Sequence, residues 1–368
     1  MLKRLAVLFA VLALVAAACG STDSEDTTTT TAAADDAPAQ GGGDTLDTVL
    51  ARGKLVCGVS GSAIGFSETQ ADGSTTGFDA DYCRAVAAAV LGDANAVEFR
   101  ALTSAERFEA LKNGEIDVLI RNSTWTQSRD TDIGVQFATT TYYDGQQMLA
   151  STDAFPNLVP DSTIADIDGA TVCVNAGTTT EKNMTEGAQV FGITITLETY
   201  EDSAATQEGF LAGTCDVYTT DGSGLFGFRA KQGQNDNADA ANWVIFPTAP
   251  ISKEPLGPVT RQNDDAWFDI VNWVVFATFI ADENGVTSAN VGDMMDNTPE
   301  LTRLFGGEGE YQTAMGLSAD AFLQVIKQVG NYGEIYQKNL TGPLGLLREG
   351  SFNMQWFDGG LIYAPPAR

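Results

Sequence analysis

Leu111–Ile120 reads LKNGEIDVLI, and Phe210–Thr220 reads FLAGTCDVYTT. Each is the end of a helix, a break at Gly114 or Gly213, and then a short run rich in apolar and β-branched residues. That is how a helix hands over to a buried strand. What precedes each is also alike. Before the first come a short helix near Leu46–Ala51, a strand Lys54–Val59 and a helix Asp79–Leu91, with Cys83, Val86, Ala87, Val90 and Leu91 at helical spacing. A strand at Val97–Phe99 follows. Thr103-x-x-Glu106 then has the form of a capping box opening a helix through Leu111, and Ile116–Ile120 is the third strand. Before the second come a strand Thr171–Val174, a helix opened by Thr178, a strand Ile193–Thr199 and a helix Ser203–Ala212, and Cys215–Thr219 closes the series. The order β-α-β-α-β, given twice, predicts an α/β protein of two lobes, each a mainly parallel sheet flanked by helices.

Two segments join the lobes. Thr139–Ala150 (TTTYYDGQQMLA) is β-rich and leads from the first lobe into the second. Pro247–Arg261 (PTAPISKEPLGPVTR) leads back, with Gly257–Thr260 as a strand that re-enters the first lobe. Two crossings make a hinge able to open and close on a ligand. The helix Asp264–Ala281, apolar at Trp267, Ile270, Val271, Val274, Val275 and Phe279, is a core element. The expected division is 44–145 with 256–368 for lobe 1 and 146–255 for lobe 2.

In open α/β sheets, ligands settle at the carboxyl ends of the strands. Directly after Ile116–Ile120 stands RNSTWTQSRD, Arg121–Asp130. It offers the hydroxyls of Ser123, Thr124 and Thr126, the amide of Asn122, the indole of Trp125 and the guanidinium groups of Arg121 and Arg129. A fork for a carboxylate, short polar groups and one apolar wall suit a small zwitterion. Arg129 is the candidate for its α-carboxylate. The second lobe supplies Gly177-Thr178-Thr179-Thr180, where a strand gives way to a helix. The first-turn N–H groups form an anion site there, or Thr178 simply caps the helix. Asp221, just past CDVYTT, is either a turn residue or the partner of an α-ammonium. Trp125 is open between cleft wall and core, and Arg121 between an ion pair and a source of positive potential that favours acidic or amide side chains.

Composition narrows the function. Histidine is absent, which removes the commonest general base and metal ligand. Lys and Arg number 20 against 49 Asp and Glu, for a net charge of −29. Such a surface repels phosphate backbones, so nucleic acid is not an expected partner. Met1–Ala18 has a basic start and an apolar run Leu5–Ala18 before Cys19, the pattern of a secretory signal. LVAAAC-G is similar to a lipoprotein signal in which Cys19 becomes the lipidated first residue, with Ala16 where Leu is usual. The segment 1–19 is thus expected as signal and 20–43, STDSEDTTTTTAAADDAPAQGGG with its leading Gly20, as a disordered tether. That places the protein outside the cytoplasm. The remaining cysteines are Cys57, Cys83, Cys173 and Cys215, an even set suited to disulfides, with three possible connectivities. Cys57–Cys83 and Cys173–Cys215 keep each bond inside one lobe. With no His and no C-x-x-C, a metal site is not expected.

From Leu46 to Arg368 the chain resembles the amino-acid-binding proteins of ABC importers, in the branch taking polar or general L-amino acids. The resemblance lies in GFDADYCRAVAAAVLGD, RNSTWTQSRD, TYYDGQQ, GTTTEKN, CDVYTTDGSGL, SKEPLGPVTRQNDDAWFDIVNW, VGNYGEIYQKN and GGLIYAPPAR. It implies a two-lobed periplasmic-binding-protein-like fold. It puts the carboxylate-binding Arg on Arg129, first-lobe hydroxyl and amide contacts on Thr124 and Asn122, the helix-start Thr on Thr179 and the ammonium-binding Asp on Asp221. Many relatives have Ser where this chain has Arg121, and of the first-strand aromatic only Phe66 is available. The implied role is non-enzymatic and cofactor-free: a monomeric receptor that delivers an L-amino acid to a permease and its ATPase. A dehydratase on the same scaffold and a ligand-presenting sensor module are the alternatives.

Overall fold

The computed structural model describes residues 44–307 and 309–368; the expected signal, lipidation site Cys19 and tether lie outside the described residues. Chain order begins with α1 (Asp44–Arg52), β1 (Leu55–Val59), α2 (Phe78–Leu91), β2 (Val97–Ala101), α3 (Arg107–Lys112) and β3 (Val118–Leu119). After β4 (Val135–Phe137), β5 (Tyr142–Asp144) and β6 (Gln146–Ser151) come β7 (Thr171–Asn175), α4 (Thr179–Phe191), β8 (Thr196–Tyr200), α5 (Ser203–Leu211), β9 (Val217–Asp221) and α6 (Gly222–Gln234). The path continues through β10 (Trp243–Phe246), β11 (Glu254–Leu256), β12 (Val259–Arg261) and α7 (Asp265–Glu283) to short helices and an irregular tail.

The two sheets repeat one plan. The first runs β2-β1-β3-β12-β4 and the second β8-β7-β9-β6-β10. In each, three βαβ-linked strands are parallel and the last two are antiparallel additions. Between the sheets β5 and β11 pair antiparallel, Glu254 opposite Asp144 and Leu256 opposite Tyr142. This two-strand ribbon carries both crossings. Gly145 lies at its exit, where a Cβ would stand 2.5 Å from Pro250 Cβ and 2.7 Å from the Ser252 carbonyl oxygen. No larger residue fits without moving the return strand.

Three boundaries depart from expectation. The third strand shortens to Val118–Leu119, flanked by Asp117, whose Oδ2 accepts from Val56 N at 2.7 Å and from Arg52. β8 starts at Thr196 because Thr194 is engaged with Asp168 and Gly169 in a loop. Thr103 and Glu106 make the reciprocal bonds of a capping box, but the α-helical turns begin only at Arg107. The cysteines pair as Cys57–Cys83 and Cys173–Cys215, one bond on each side of the ribbon.

The larger core is aromatic at its centre. Phe78, fully buried, meets Phe66, Tyr82, Tyr142, Tyr332 and Tyr336 edge-on at 5.2–6.2 Å between centroids. Those rings come from α2, the turn at Phe66, the hinge strand β5 and the late helix Tyr332–Tyr336, so one side chain ties the hinge to the tail. Asn353 continues that tie: its Oδ1 accepts from Tyr143 N at 2.7 Å, and its Nδ2 donates to Tyr143 O at 3.1 Å. The tail ends against the same body, with Arg303 Nε donating to Ala367 O at 2.8 Å. Phe78→Ala is expected to lower stability by about 3–5 kcal/mol, read from urea unfolding.

Candidate functional site

A small cavity lies between the carboxyl ends of the two sheets. Arg107, Arg121, Asn122 and Thr124 line it from the first sheet's side, and Asn175, Thr179 and Asp221 from the second's. Sheet topology brings them together: each ends or follows a strand, or opens a helix, at the carboxyl end of its sheet's parallel strands.

Arg129 is held by its own local structure. It sits in the one-turn helix Gln127–Thr131, capped by Thr126, and its Nη1 donates to Thr124 O at 2.9 Å. It is buried just behind the cavity wall, with its guanidinium 5.4 Å from the Phe108 ring. Burial lowers its pKa, and Glu254 and then Asp221 oppose that effect.

Two further guanidinium groups face the cavity itself. Arg121 is buried; its Nε donates to Leu102 O at 2.9 Å, and burial pushes its pKa down to about 10, with Asp79 opposing. Arg121 is therefore no surface ion pair. Arg107 was not anticipated from the sequence. It lies 4.9 Å from the Phe108 ring, its Nη1 donates to Ser123 Oγ at 3.3 Å, and its Nε, buried, has no partner. Burial and the like charges of Arg121 and Arg129 hold its pKa well below the usual arginine range. Among the described residues, no carboxylate lies within ion-pairing distance of any of these three arginines.

The acidic side is equally buried. Asp221 closes β9 as the residue before α6, and its carboxyl is pushed well above the ordinary range by burial, then by Asp144 and Glu254; Arg129 and Arg107 oppose this. Asp144, on the hinge, is raised to about 6 by burial despite bonds from Ser223 and Gly145. Asp79 is raised to about 7 by burial, against the Asn122 N–H at 2.6 Å and Arg121. Asn122 itself has φ 33, in the left-handed region, and its side-chain Oδ1 is buried without a partner.

At the second lobe's helix start, Thr178 is a cap. Its Oγ1 accepts from Glu181 N at 3.1 Å and donates to Asn175 O at 2.7 Å. Thr179 instead reaches across: its Oγ1 lies 3.3 Å from Thr124 Oγ1 and donates to Glu254 Oε2 at 2.8 Å. Trp125, open from the sequence between cleft wall and core, does not line this cavity. Its backbone N donates to Pro255 O at 2.8 Å while Thr124 bridges Leu256, so alternation along the chain sends Thr124 inward and the indole outward. The ring stacks on Phe137 and is 42% exposed, over a separate groove on the hinge side. A second small cavity shares Asn122, Ser203 and Asp221 with the first and extends it to Ile64, Phe66 and Tyr218.

Two sheets of one plan, a two-strand hinge and charged groups of both signs between them define a solute-binding protein. Residues 55–342 match the bacterial extracellular solute-binding proteins, family 3, and the chain belongs to that family. It is 45% identical over 328 residues to the glutamate/glutamine/aspartate/asparagine-binding protein of Rhodobacter capsulatus, covering 88% of this chain and 93% of that one. It is 42% identical over 329 residues to the general L-amino acid-binding periplasmic protein of Rhizobium johnstonii, covering 88% and 93%. Among solved structures, a periplasmic binding protein from Brucella ovis with glutathione bound is 42% identical with a TM-score of 0.81, covering 88% of this chain and 99% of that one.

Asn122 tests the backbone of the site. Asn122→Val is expected to cost about 1–2 kcal/mol of stability, whereas Asn122→Gly should stay within ~0.5 kcal/mol of the parent, both read from thermal unfolding.

Proposed function

We propose that the protein captures an L-amino acid with an acidic or amide side chain between its lobes, 44–145 with 256–368 and 146–255, and delivers it to an ABC permease and its ATPase. The observation that carries this is Arg107: a buried guanidinium with an unpartnered Nε which feels the charge of Asp221 but, among the described residues, has no carboxylate within ion-pairing distance. A buried charge left unpaired is strongly unfavourable, so the pairing group has to come from the ligand. Arg129 serves the α-carboxylate together with the N-terminal turn of α4, and Asp221 serves the α-ammonium. Arg107 and Arg121 then remain for the side chain. A side-chain carboxylate or amide oxygen of the ligand can accept from these guanidinium donors. Asn122 Oδ1 and Thr124 complete the polar contacts, with Thr178 supporting Thr179 as the helix cap.

The names of the relatives support this reading. One binds glutamate, glutamine, aspartate and asparagine, and another takes general L-amino acids. A second reading, a γ-glutamyl peptide such as glutathione, is favoured by the adjoining cavity at Ile64, Phe66 and Tyr218 and by the glutathione-bound relative. We read the protein as a binder and not a dehydratase, since Asp221 is occupied with an ammonium and is not free as a general acid or base. Among the described residues no helix is long and apolar enough to cross a membrane. We propose that attachment, as a monomer on the outer face of the cell membrane, runs through lipidated Cys19 and the tether 20–43.

Calorimetry with L-glutamate, L-aspartate, L-glutamine, L-asparagine, glycine and glutathione tests the reading. Arg129→Ala and Asp221→Ala should each weaken binding by about 100-fold or more with the fold intact, because each strands a buried charge. Arg107→Ala should remove the preference for acidic side chains, and Arg121→Ser should reorder the panel. An unchanged ranking in both would defeat the assignment. Because burial raises the Asp221 pKa and an ammonium pairs only with its ionised form, binding is linked to loss of a proton. Affinity should therefore fall as pH is lowered, measured as Kd against pH, and the fall should set in above the ordinary carboxylate range.

A further inference from the structure

Glu254 is 1% exposed and lies on the hinge strand β11, opposite Asp144. Three side-chain donors converge on it. Thr179 Oγ1 donates to Oε2 at 2.8 Å, Asn183 Nδ2 to Oε1 at 3.0 Å and Ser252 Oγ to Oε1 at 2.6 Å. An ionised carboxylate only accepts, and a threonine hydroxyl has a single proton. With that proton directed at Glu254, Thr179 turns only lone pairs towards the cavity it lines and towards Thr124 Oγ1 at 3.3 Å.

We propose that Glu254 is a positioning residue that locks the Thr179 hydroxyl as an acceptor facing the cleft, so that this position reads N–H and O–H donors and not a carboxylate. The reading of the cavity as an amino-acid site underlies this inference and is tested separately by the wild-type titrations. It changes what the helix start does. The anion is left to backbone N–H groups and the guanidinium cluster, while the Thr179 side chain is matched to the ligand's ammonium or to the Thr124 hydroxyl that meets it across the cleft. It also ties recognition to the hinge, because the group that sets the hydroxyl's direction belongs to the strand on which the lobes turn. Glutamine at position 254 presents one amide nitrogen where three donors now meet two oxygens. At least one donor then faces a donor, and Thr179 loses its fixed direction.

A double-mutant cycle tests the coupling. Kd is measured by calorimetry with L-glutamate and, separately, L-glutamine for the wild type, Glu254→Gln, Thr179→Val and the double variant, with ligand-free melting recorded for each. Each single variant should weaken both ligands alike, by about tenfold. The double variant should fall within about twofold of the weaker single, because the two residues act through one hydroxyl. Thr179→Ser, which keeps the hydroxyl, should bind within about twofold of the wild type. Wild-type affinity in Glu254→Gln overturns the inference, and so do losses that multiply in the double variant, since Glu254 would then act by its charge on Arg129 alone. If Glu254→Gln does not fold, Asn183→Ala decides: it leaves the Thr179–Glu254 bond in place and should keep wild-type affinity, and a tenfold loss there overturns the proposal. A wild type that binds neither ligand removes the amino-acid reading and this inference with it.

Discussion

Taking charge out of water costs more than most side-chain contacts return, and this protein does so repeatedly in one place. Arg107, Arg121 and Arg129 on one side, and Asp221, Asp79, Asp144 and Glu254 around them, are all nearly or wholly removed from solvent or held at the cleft edge. Titration of the three arginines and of Asp79, Asp144 and Asp221 is pulled in opposite directions by the same cause: burial pushes these acids up and the arginines down. The opposing terms come from across the cleft, since Arg129 and Arg107 favour ionised Asp221, while Glu254 and Asp221 favour charged Arg129. Closure without an ionic ligand therefore leaves the two sides to balance each other imperfectly. In the function proposed above, a zwitterion with an extra anionic or amide group would supply what is missing. Ligand chemistry and lobe closure are in this sense one electrostatic problem.

The hinge is where that problem meets the fold. β5 and β11 together are only six residues, yet Asp144 and Glu254 face each other there, and Tyr142 enters the aromatic centre around Phe78. One end of the ribbon is thus anchored in the larger core, and Asn353 of the tail holds Tyr143 from outside. The smaller body hangs on the same ribbon through Gly145, where the chain tolerates no side chain. A short two-strand ribbon of this kind is the geometry expected of a hinge.

Much of this was legible from residues alone. The repeated helix–Gly–strand ending at Leu111–Ile120 and Phe210–Thr220 revealed two bodies, and dividing the chain that way singled out Cys57–Cys83 and Cys173–Cys215 from the three possible connectivities. What failed to show was whatever depends on direction. Trp125 and Thr124 are neighbours in sequence, and only the bridge from Thr124 to Leu256 fixes which of them faces inward. Strand ends were blurred for a similar reason. Asp168 and Gly169 hold Thr194 in a loop, an interaction between residues far apart in sequence that apolar periodicity does not report.

Arg107 shows the limit most clearly. In sequence it is one basic residue on a short helix, indistinguishable from a solvated helix face. Its signal was in fact present in what surrounds it: Phe108 and Leu111 put the helix against the core, and the bonds between Thr103 and Glu106 hold the turn that leads into it. As the first residue of that helix, Arg107 lines the cavity together with Arg121 and Asn122 from beyond the strand end. The residue on which the ligand reading rests is thus placed by two ordinary structural features, a hydrogen-bonded turn and an apolar face, neither of which announces a binding site.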